Sequence, residues 1–197
     1  MHENQLYPVF LKLDQLHTLL VGAGNVGLEK LHSILRNAAH ARVTIVAPRI
    51  RTELRELAGR HPHCQLVERA FDAADLQGKH LVICATDDPE LHREIKALAA
   101  RSNLIVNVAD TPDLCDLYLG SIVQKGNIKI AISTNGKSPT IAKRLKEVIE
   151  DMLPDEMEEL LEHMQKIRQG IKGGFEEKVR RLNEITRELA APAPNNE

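Results

Sequence analysis

Three glycines near the start of the chain are the residues best suited to bind a ligand. Gly22, Gly24 and Gly27 have the spacing G-x-G-x-x-G. In such a turn the first glycine permits a tight bend, the second lets a pyrophosphate approach the backbone, and the third lets a helix pack closely on a strand. The backbone N–H groups of Asn25 and Val26 would then favour the anionic phosphates at the helix N-terminus. The motif predicts dinucleotide binding; a glycine turn that only packs a helix on a sheet is the alternative.

The residues after the second apolar run bear on the choice of cofactor. That run, Val43–Ala47, is followed by Pro48 and Arg49, at the position that meets the adenosine ribose in a dinucleotide fold. NAD-specific proteins often carry Asp or Glu there, and this chain carries neither. Arg49 could bind the 2′-phosphate of NADP, lie beside the adenine, or be a solvated loop cation. Residue chemistry alone therefore leaves NAD and NADP open.

Polar and acidic residues follow two further apolar runs. The run His80–Ala85 leads into Thr86 and Asp87, and the run Asn103–Val108 leads to Asp110. Because the carboxyl ends of parallel strands face the ligand crevice, we expect Thr86 and Asp87 to line the cofactor. Asp110 is the first candidate for catalysis, since a carboxylate there could take a proton while the nicotinamide takes a hydride. A loop-capping aspartate is the alternative.

Two histidines are further candidates for proton transfer. His80 begins a strand at the edge away from the ligand side, where we expect a structural role. His92 lies on the helix after Asp87 and Asp88, and we expect it at the surface or just behind the residues that line the cofactor. Asp88, followed by Pro89, is also typical of a helix N-cap.

Potential metal ligands occur in two loops. His61 and His63 flank a proline and have no third ligand nearby. Cys115 with Asp113 and Asp116 lacks zinc-type spacing, so a buried thiol is the simpler interpretation. We therefore predict no metal site. The sequence also shows no Ser–His–Asp or nucleophile-elbow pattern that would favour hydrolytic chemistry.

These candidates lie on a chain in which strand-like and helical segments alternate. Helical segments at Val26–Ala38, Ile50–Arg60 and Pro89–Ala100 separate the apolar runs, in the order βαβαβ(α)βαβ. Near-continuous apolar runs are typical of parallel strands covered on both faces. We predict an α/β fold, a Rossmann-type doubly wound parallel sheet, over residues 1–112. The segment Tyr7–Leu13 is expected to be an extended edge or lead-in.

The pattern changes after the last of these strands. The runs Ser121–Gln124 and Ile128–Ser133 flank a Gly-Asn turn, which predicts an antiparallel hairpin that pairs with the main sheet or with a second subunit. A second polar turn, Ser133-Thr134-Asn135-Gly136-Lys137-Ser138, opens a helix that Ser138 caps and Pro139 begins. Beyond Pro154 the chain is charge-rich and helical, with a break at Gly173-Gly174.

The amino-acid composition argues against two classes of partner, nucleic acids and membranes. The net charge of −2 over 197 residues creates no field that would attract nucleic acid or an anionic membrane. Aromatic residues, at 3%, are too few for base-stacking platforms. Three cysteines without a C-x-x-C pair favour a reducing compartment, and the sequence has neither a signal pattern nor a membrane-length apolar run. We expect a cytoplasmic protein that binds neither nucleic acid nor membrane.

Several segments, in their order and spacing, resemble precorrin-2 dehydrogenases, the oxidase and ferrochelatase module of sirohaem synthesis. They are LYPVFLKL, VGAGNVGLEK, ATDDPEL, NVAD, the loop around Cys115, and STNGKSPTIAKRLKEVIEDMLP. The resemblance implies NAD-dependent removal of two hydrogens from precorrin-2 to give sirohydrochlorin, and in some members also insertion of Fe²⁺ to give sirohaem. The family's essential aspartate falls on Asp110, as general base for a macrocycle proton or a pyrrole N–H.

The resemblance also implies a homodimer whose interface is built by the segment after this aspartate. On this basis we expect a dimerisation hairpin and helix at 113–153. The charge-rich helical sequence after it predicts a small helical domain at 154–190, and the terminal residues predict a disordered tail at 191–197. Precorrin-2 is a polycarboxylate, so the second turn, Ser133–Ser138, is expected to bind the substrate. The candidate cations are Lys137, Lys143, Arg144 and Lys146.

Two of the departures from the family's pattern bear on the candidate site. The family usually has two glycines after the serine of the second turn, where this chain has Thr134-Asn135-Gly136. We expect the turn to survive, because Asn adopts the left-handed backbone more easily than most residues. An asparagine that is common after the ATDD segment is replaced here by His92.

Two rival functions remain open at the level of sequence. One is a regulatory Rossmann module that binds a dinucleotide without turnover. The other is a dehydrogenase for a different substrate. The polar and basic second turn favours an anionic substrate without identifying it. A sensor should lose nothing when Asp110 is changed, whereas either dehydrogenase should lose turnover.

Overall fold

The computed structural model describes residues 4–187, which form two compact units with a boundary between Leu119 and Gly120. Within these residues, the first unit contains five strands and three α-helices, and the second contains two strands and three α-helices. The predicted tail at 191–197 lies outside the described residues. No helix in the described part of the chain has both the length and the apolar character of a membrane span.

Strands and helices alternate in the first unit, as the sequence predicts. The strands are β1 (His17–Val21), β2 (Arg42–Ala47), β3 (Cys64–Glu68), β4 (Leu81–Cys84) and β5 (Ile105–Val108). The helices are α1 (Asn25–Asn37), α2 (Thr52–Gly59) and α3 (Pro89–Arg101), with short 3-10 turns at Ala73–Leu76 and Pro112–Leu114. The predicted helix boundaries are therefore right to within one or two residues.

All five strands are parallel and lie in the order β3-β2-β1-β4-β5. Val21 at the end of β1 is in register with Val46 and Cys84, and Cys84 is in register with Val108. The strand order reverses between β1 and β4, which is where open α/β sheets form their ligand crevice. The predicted Rossmann-type doubly wound sheet is confirmed.

The sheet has an apolar cluster on each face, which explains its continuous hydrophobic runs. On one face Leu31 of α1 and Leu54 of α2 are fully buried against residues such as Ile45. On the other face Ile95 of α3 is buried with Val82 and their neighbours. Alternate residues of each strand point to opposite clusters, so the helices cover both faces and fix the strand ends that carry the site.

The segment before β1 forms no strand. Residues 4–12 have no regular secondary structure, and the side chains of Tyr7, Val9 and Phe10 are exposed. Pro8 has no N–H to donate to a strand ladder, which is consistent with this result. Of the two expectations for Tyr7–Leu13, the edge strand is wrong and the lead-in remains.

In the second unit, β6 (Ser121–Lys125) and β7 (Ile128–Ile132) form the predicted antiparallel hairpin. Gly126 in its turn has a positive φ of 55°. The two strands form a sheet of their own, so the expected pairing with the main sheet is wrong within this chain. The helices are α4 (Pro139–Met152), α5 (Met157–Gly170) and α6 (Phe175–Ile185), and the break between α5 and α6 contains the predicted Gly173-Gly174.

Helix α4 exposes an apolar stripe in the single chain. The N-terminus is built as predicted, since Ser138 Oγ accepts a hydrogen bond from the N–H of Ile141 at 3.2 Å and Pro139 is the first helical residue. Ala142 is buried and α4 packs on β6. The other face carries exposed side chains spaced three and four residues apart. They are Ile141, Leu145, Val148 and Met152. We call this set the α4 stripe.

Candidate active site

Hydrogen bonds just beyond the strands align the carboxyl ends of β2, β1, β4 and β5. They join the N–H of Gly22 to the carbonyl of Val46 (2.9 Å), that of Ala85 to Val21 (2.7 Å) and that of Ala109 to Cys84 (2.9 Å). The glycine turn, Thr86 and Asp110 therefore lie next to one another along one edge of the sheet. Sequence reasoning placed these residues at strand ends, and the structure brings them together in one row.

Backbone contacts require two of the three glycines of the turn. Gly22 has a φ of 105°, and a Cβ there would overlap the carbonyl oxygen of Ala85 and lie 3.0 Å from Cγ2 of Thr86. A Cβ on Gly27 would overlap the carbonyl oxygen of Gly22, because α1 begins directly against β1. Both glycines are therefore required by packing, in agreement with their predicted roles.

Gly24 is different, because a Cβ there would meet no atom within 4 Å. Its backbone is extended, with a φ of −83°, so the fold does not require a glycine at this position. Gly24 precedes α1, no side chain caps that helix, and its first turn contains no acidic residue. The first helical bond is donated by Leu28 to the carbonyl of Gly24 at 3.0 Å, which leaves the N–H groups of residues 25–27 for a ligand.

The glycine turn fits a dinucleotide on these observations. The open space at Gly24 admits a phosphate close to the backbone, and the N-terminal N–H groups of α1, including those of Asn25 and Val26, favour its negative charge. The N–H of Arg51 donates to the carbonyl of Ala23 at 3.3 Å and links the turn to the start of α2. Sequence reasoning missed this link, because it is made by backbone atoms and has no residue signature.

The residues after β2 lie at the same edge of the sheet. Pro48 and Arg49 are exposed. The neighbouring Arg51 forms an ion pair with Glu53 at 2.7 Å, so its charge is already partly neutralised. Arg49 is thus the exposed cation closest in sequence to the end of β2, with Pro48 as a rigid neighbour.

Asp88 caps α3, as expected. One of its carboxylate oxygens accepts hydrogen bonds from the N–H groups of Glu90 (3.0 Å) and Leu91 (3.1 Å). Asp87 is exposed and does not take part in this cap. The cap leaves Asp87 at the strand end, which is where a residue that lines the cofactor is expected.

His92 is only 4% exposed, so of its two expected positions the one at the surface is wrong. Its Nε2 lies 2.8 Å from Oγ1 of Thr86, and that oxygen also accepts the N–H of Asp88 at 3.3 Å. Helix α3 turns this side chain inward, one turn after its cap. Burial lowers the pKa of His92, although the nearby carboxylates of Asp88 and Asp87 partly oppose the shift.

His80 has the structural role that its position predicts. Its Nδ1 accepts the N–H of His17 at 3.0 Å, and its own N–H donates to the carbonyl of His17 at 2.9 Å. His17 Nε2 in turn contacts Oγ1 of Thr44 at 2.8 Å. His17 and His80 lie at the amino ends of β1 and β4, opposite the edge that carries the glycine turn.

Asp110 is exposed and has a φ of 56°, in the left-handed region. Asp adopts this conformation more readily than most residues, so the backbone here suits an aspartate or asparagine. The following residue, Thr111, donates its N–H to the carbonyl of Val108 at 3.4 Å and its hydroxyl to that of Ala109 at 3.3 Å. The carboxylate therefore stands at a closed turn directly after β5.

Cys115 and Asp116, the potential metal ligands of the loop after β5, make contacts with other parts of the protein. Cys115 hydrogen-bonds to the backbone of Val108, and Asp116 pairs with Lys96 and accepts the N–H of Val106 at 3.0 Å. Among residues 4–187 no group of three or more His, Cys, Asp and Glu side chains is arranged to hold a metal ion. These partners include backbone atoms of β5 and a side chain of α3, which sequence spacing does not reveal.

The second polar turn belongs to the second unit. Asn135 and Gly136 have φ values of 54° and 73°, which confirms that the asparagine adopts the left-handed backbone. Thr134 Oγ1 accepts the N–H of Ser138 and donates to its carbonyl, both at 3.1 Å, and Ser133 Oγ accepts the N–H of Asn135 at 3.1 Å. The turn is thus held by its own hydroxyl groups.

The four candidate cations differ in their partners. Arg144 pairs with Glu147 at 2.6 Å and Lys146 with Glu150 at 3.5 Å. Lys137 and Lys143 are exposed. Lys137 and Lys143 are therefore the better candidates for an anionic ligand of this unit.

Comparison with known proteins identifies the class of the first unit. Residues 9–121, more than half of the chain, match the family described as "Putative NAD(P)-binding". The chain belongs to this NAD(P)-binding family. Within the second unit, residues 125–152 of this NAD(P)-binding protein match the family described as "Sirohaem biosynthesis protein central".

Curated relatives of this family member include two bacterial siroheme synthases. That of Thioalkalivibrio sulfidiphilus is 40% identical over 148 residues, which are 75% of this chain and 30% of the relative. That of Methylococcus capsulatus is 35% identical over 186 residues, which are 94% of this chain and 39% of the relative. The chain thus spans between a quarter and two fifths of the length of the curated relatives it matches.

A solved structure supports the fold of this NAD(P)-binding protein. It is that of SirC, a precorrin-2 dehydrogenase, with a TM-score of 0.74 and 22% identity. The match covers 94% of this chain and 93% of that one. At this level of identity the match establishes the shared fold.

Proposed function

We propose that the chain is an NAD-dependent precorrin-2 dehydrogenase, which removes two hydrogens from precorrin-2 and yields sirohydrochlorin. The observation that carries the proposal is the succession of two family matches, with the NAD(P)-binding family over residues 9–121 and the sirohaem biosynthesis family over residues 125–152. The siroheme synthases among the relatives, and the likeness of the fold to a precorrin-2 dehydrogenase, support the same reaction.

NAD is the proposed cofactor, and it supplies the hydride acceptor of the reaction. The segment Gly22–Gly27 would hold its pyrophosphate against the N-terminal N–H groups of α1. Pro48 and Arg49 would lie beside the adenosine, and Thr86 with Asp87 would line the crevice next to Gly22. The contact between the Cβ position of Gly22 and Thr86 Cγ2 supports this arrangement, since it brings the two strand ends together.

Asp110 is the proposed general base. Oxidation of precorrin-2 removes one hydrogen as hydride, with its electron pair, and a second as a proton. An exposed carboxylate beside the end of β4 can accept that proton, and the closed turn after β5 holds its backbone. The proton then passes to solvent, so the net products are sirohydrochlorin, NADH and H⁺.

The second turn is the proposed substrate-binding segment. Precorrin-2 carries carboxylates, and the polar turn Ser133–Ser138 offers the hydroxyl groups of its two serines and the amide of Asn135 as donors, together with Lys137. Lys137 and Lys143 are favoured over Arg144 and Lys146, which already have carboxylate partners.

A homodimer is part of the proposal, with residues 113–153 as the dimerisation segment. The α4 stripe supports it, because an apolar stripe along one helix commonly marks a surface that another chain covers. The hairpin of β6 and β7 also supports it, since two strands alone form a marginal sheet. The composition adds a cytoplasmic location to the proposal.

Insertion of Fe²⁺ into sirohydrochlorin, with Fe²⁺ as a substrate, is a second candidate activity. The observation that favours it is that the curated relatives are siroheme synthases, whose product contains the metal. Asp110 would then accept a pyrrole N–H proton as the ion enters. Addition of Fe²⁺ or Co²⁺ to enzyme and sirohydrochlorin, with absorbance spectra as the readout, tests this activity.

The experiment for the main proposal is an anaerobic assay of the protein with precorrin-2 and either NAD⁺ or NADP⁺. The proposal predicts formation of NADH and of the sirohydrochlorin spectrum, with NAD⁺ preferred. Binding of NAD⁺ without oxidation of precorrin-2 contradicts the proposal and supports a sensing module. Preference for NADP⁺ would instead contradict only the cofactor assignment and favour Arg49 as a ligand of the 2′-phosphate.

A further inference from the structure

The loop that carries Asp110 is fastened at its far end to β5. After the 3-10 turn at Pro112–Leu114, the chain runs back beside this strand. The N–H of Asp116 donates to the carbonyl of Val106 at 2.8 Å, and a carboxylate oxygen of Asp116 accepts the N–H of Val106 at 3.0 Å. Asn107 Nδ2 donates to the carbonyl of Leu117 at 3.0 Å. The loop is therefore closed, and its two ends lie against the same strand.

The thiol of Cys115 occupies the point where this loop closes. Its sulfur accepts the N–H of Val108 at 3.2 Å and lies 3.2 Å from the carbonyl oxygen of Val108. The same S–H group faces the carbonyl oxygen of Thr111 at 3.4 Å. Val108 and Thr111 flank Asp110 in the chain, so a single side chain connects the backbone on both sides of the proposed base.

The surroundings of Cys115 suit a thiol. The residue is half-buried and packs, together with Leu114, against the apolar cluster that contains Cys84. Burial, with Cys115 nearby, raises the pKa of the Cys84 thiol to about 12, which is consistent with an apolar environment. A thiol fits such surroundings and can still donate and accept weak hydrogen bonds.

The left-handed backbone conformation of Asp110 is less stable than the usual conformations of loop residues, so contacts from neighbouring residues must hold it. A non-glycine residue in the left-handed region persists when its neighbours fix it. The neighbours that fix Asp110 are Val108 and Thr111, and both are bonded to Cys115. Loss of the thiol would therefore let the loop relax and move the carboxylate.

We propose that Cys115 is a positioning residue whose thiol fastens the Asp110 loop to the end of β5 and so fixes the proposed general base. This inference rests on the proposed function of Asp110. It assigns Cys115 no contact with substrate or cofactor. It predicts that changes of Cys115 affect the proton-transfer step and leave cofactor binding intact.

The test compares the variants Cys115→Ala and Cys115→Ser with the control Cys64→Ala. Cys64 is also a half-buried thiol and lies at the start of β3. The first readout is hydrogen exchange at the amide of Val108, which donates to the Cys115 sulfur. Cys115→Ala should accelerate this exchange by roughly tenfold, the cost of one hydrogen bond, and Cys115→Ser should largely restore the protection. Cys64→Ala should leave it unchanged.

The second readout is steady-state oxidation of precorrin-2. Cys115→Ala should lower kcat by about 10- to 100-fold, as for a misplaced catalytic group, with KM and Kd for NAD⁺ unchanged, and Cys115→Ser should recover most of kcat. When Asp110 is already replaced by Asn, the additional change Cys115→Ala should not lower kcat further, because Cys115 acts only through Asp110.

Three results separate the possible failures. Unchanged Val108 exchange in Cys115→Ala overturns the fastening role. Faster exchange with a wild-type kcat overturns the link between the loop and Asp110. A wild-type protein that binds NAD⁺ and never oxidises precorrin-2 overturns the proposed function instead, and Val108 exchange in the two Cys115 variants then still decides whether the thiol fastens the loop.

Discussion

The Nε2 atom of His92 lies 2.8 Å from Oγ1 of Thr86, and this contact joins a buried imidazole of α3 to the carboxyl end of β4. Thr86 also lies against Gly22 of the glycine turn. Thr86 therefore lies between the proposed cofactor turn and α3, and His92 holds its side chain in place. The Thr86 hydroxyl is partly buried, so loss of this partner is expected to destabilise the protein.

Replacement of His92 by Leu should weaken both folding and cofactor binding. The change removes a partner of the Thr86 hydroxyl, so we expect a loss of about 1–3 kcal/mol in the free energy of unfolding and weaker NAD⁺ binding. His92→Gln can bring an amide close to the position of Nε2 and should retain most of both. Urea denaturation and calorimetric titration with NAD⁺ measure the two effects, with the exposed His32→Leu as control. Wild-type stability of His92→Leu would contradict the proposed support.

The stability of the protein should decrease in mild acid partly because of His92. Burial holds its pKa in the folded protein below the unfolded value of about 6.5. The folded state thus binds fewer protons than the unfolded state between the two pKa values, and stability rises with pH there. This contribution is fully present above the unfolded pKa and is lost as pH falls through the lower folded-state pKa.

Urea denaturation between about pH 8 and pH 5 measures this dependence. His92→Gln should lose less stability over this range than the wild type. His17, whose pKa is lowered mainly by burial and also by Lys79, Arg42 and His80, should contribute in the same direction. The double variant His17→Gln/His92→Gln should therefore have the flattest profile. Parallel profiles for all three proteins would show that neither imidazole is buried in its neutral form.

Alanine substitutions should separate the structural glycines of the turn from the one that faces the ligand. Gly22→Ala forces a Cβ into the Ala85 carbonyl at a positive φ, which should cost about 2–4 kcal/mol of folding stability. Gly24→Ala meets open space and should change stability by less than about 1 kcal/mol, yet weaken NAD⁺ binding by about tenfold or more. Gly59→Ala, which also meets open space, is the matched control for binding. Unchanged affinity in Gly24→Ala would remove the glycine turn from the cofactor site.

A charge on the α4 stripe should dissociate the proposed homodimer. Val148→Glu or Leu145→Glu would bury an unpaired carboxylate in the interface and should raise the dimer dissociation constant by at least about a hundredfold. Lys143→Glu changes the charge of the same helix outside the stripe and should leave the dimer intact. Analytical ultracentrifugation distinguishes the species. A monomeric wild type would contradict the proposed homodimer, and a dimer that tolerates Val148→Glu would place its interface elsewhere.

The sequence predicted the first unit well because its signals are local. Near-continuous apolar runs defined the strands, and the spacing of Gly22 and Gly27 matches the two backbone contacts that forbid a side chain. The caps of α3 and α4 followed from Asp88-Pro89 and Ser138-Pro139, where a side-chain oxygen and a proline act within one turn. Such features require no knowledge of distant residues.

Features that depend on distant contacts could not be read from the sequence. The inward turn of His92 depends on Thr86 across the end of β4, and a helical pattern does not distinguish it from a surface position. The role of Cys115 depends on backbone atoms of Val108 and Thr111, which carry no residue signature. Pairing of the hairpin was ambiguous for the same reason, because two short strands do not specify their neighbours.

Anaerobic turnover of Asp110→Asn tests the proposed mechanism most directly. Asparagine keeps the left-handed backbone that Asp110 adopts, whereas alanine would add strain, so any loss reports on the carboxylate itself. The variant should bind NAD⁺ as the wild type does and oxidise precorrin-2 at least about 100-fold more slowly, as expected when a general base is removed. Oxidation by Asp110→Asn at the wild-type rate, with NADH formed in step with sirohydrochlorin, would show that another group takes the proton.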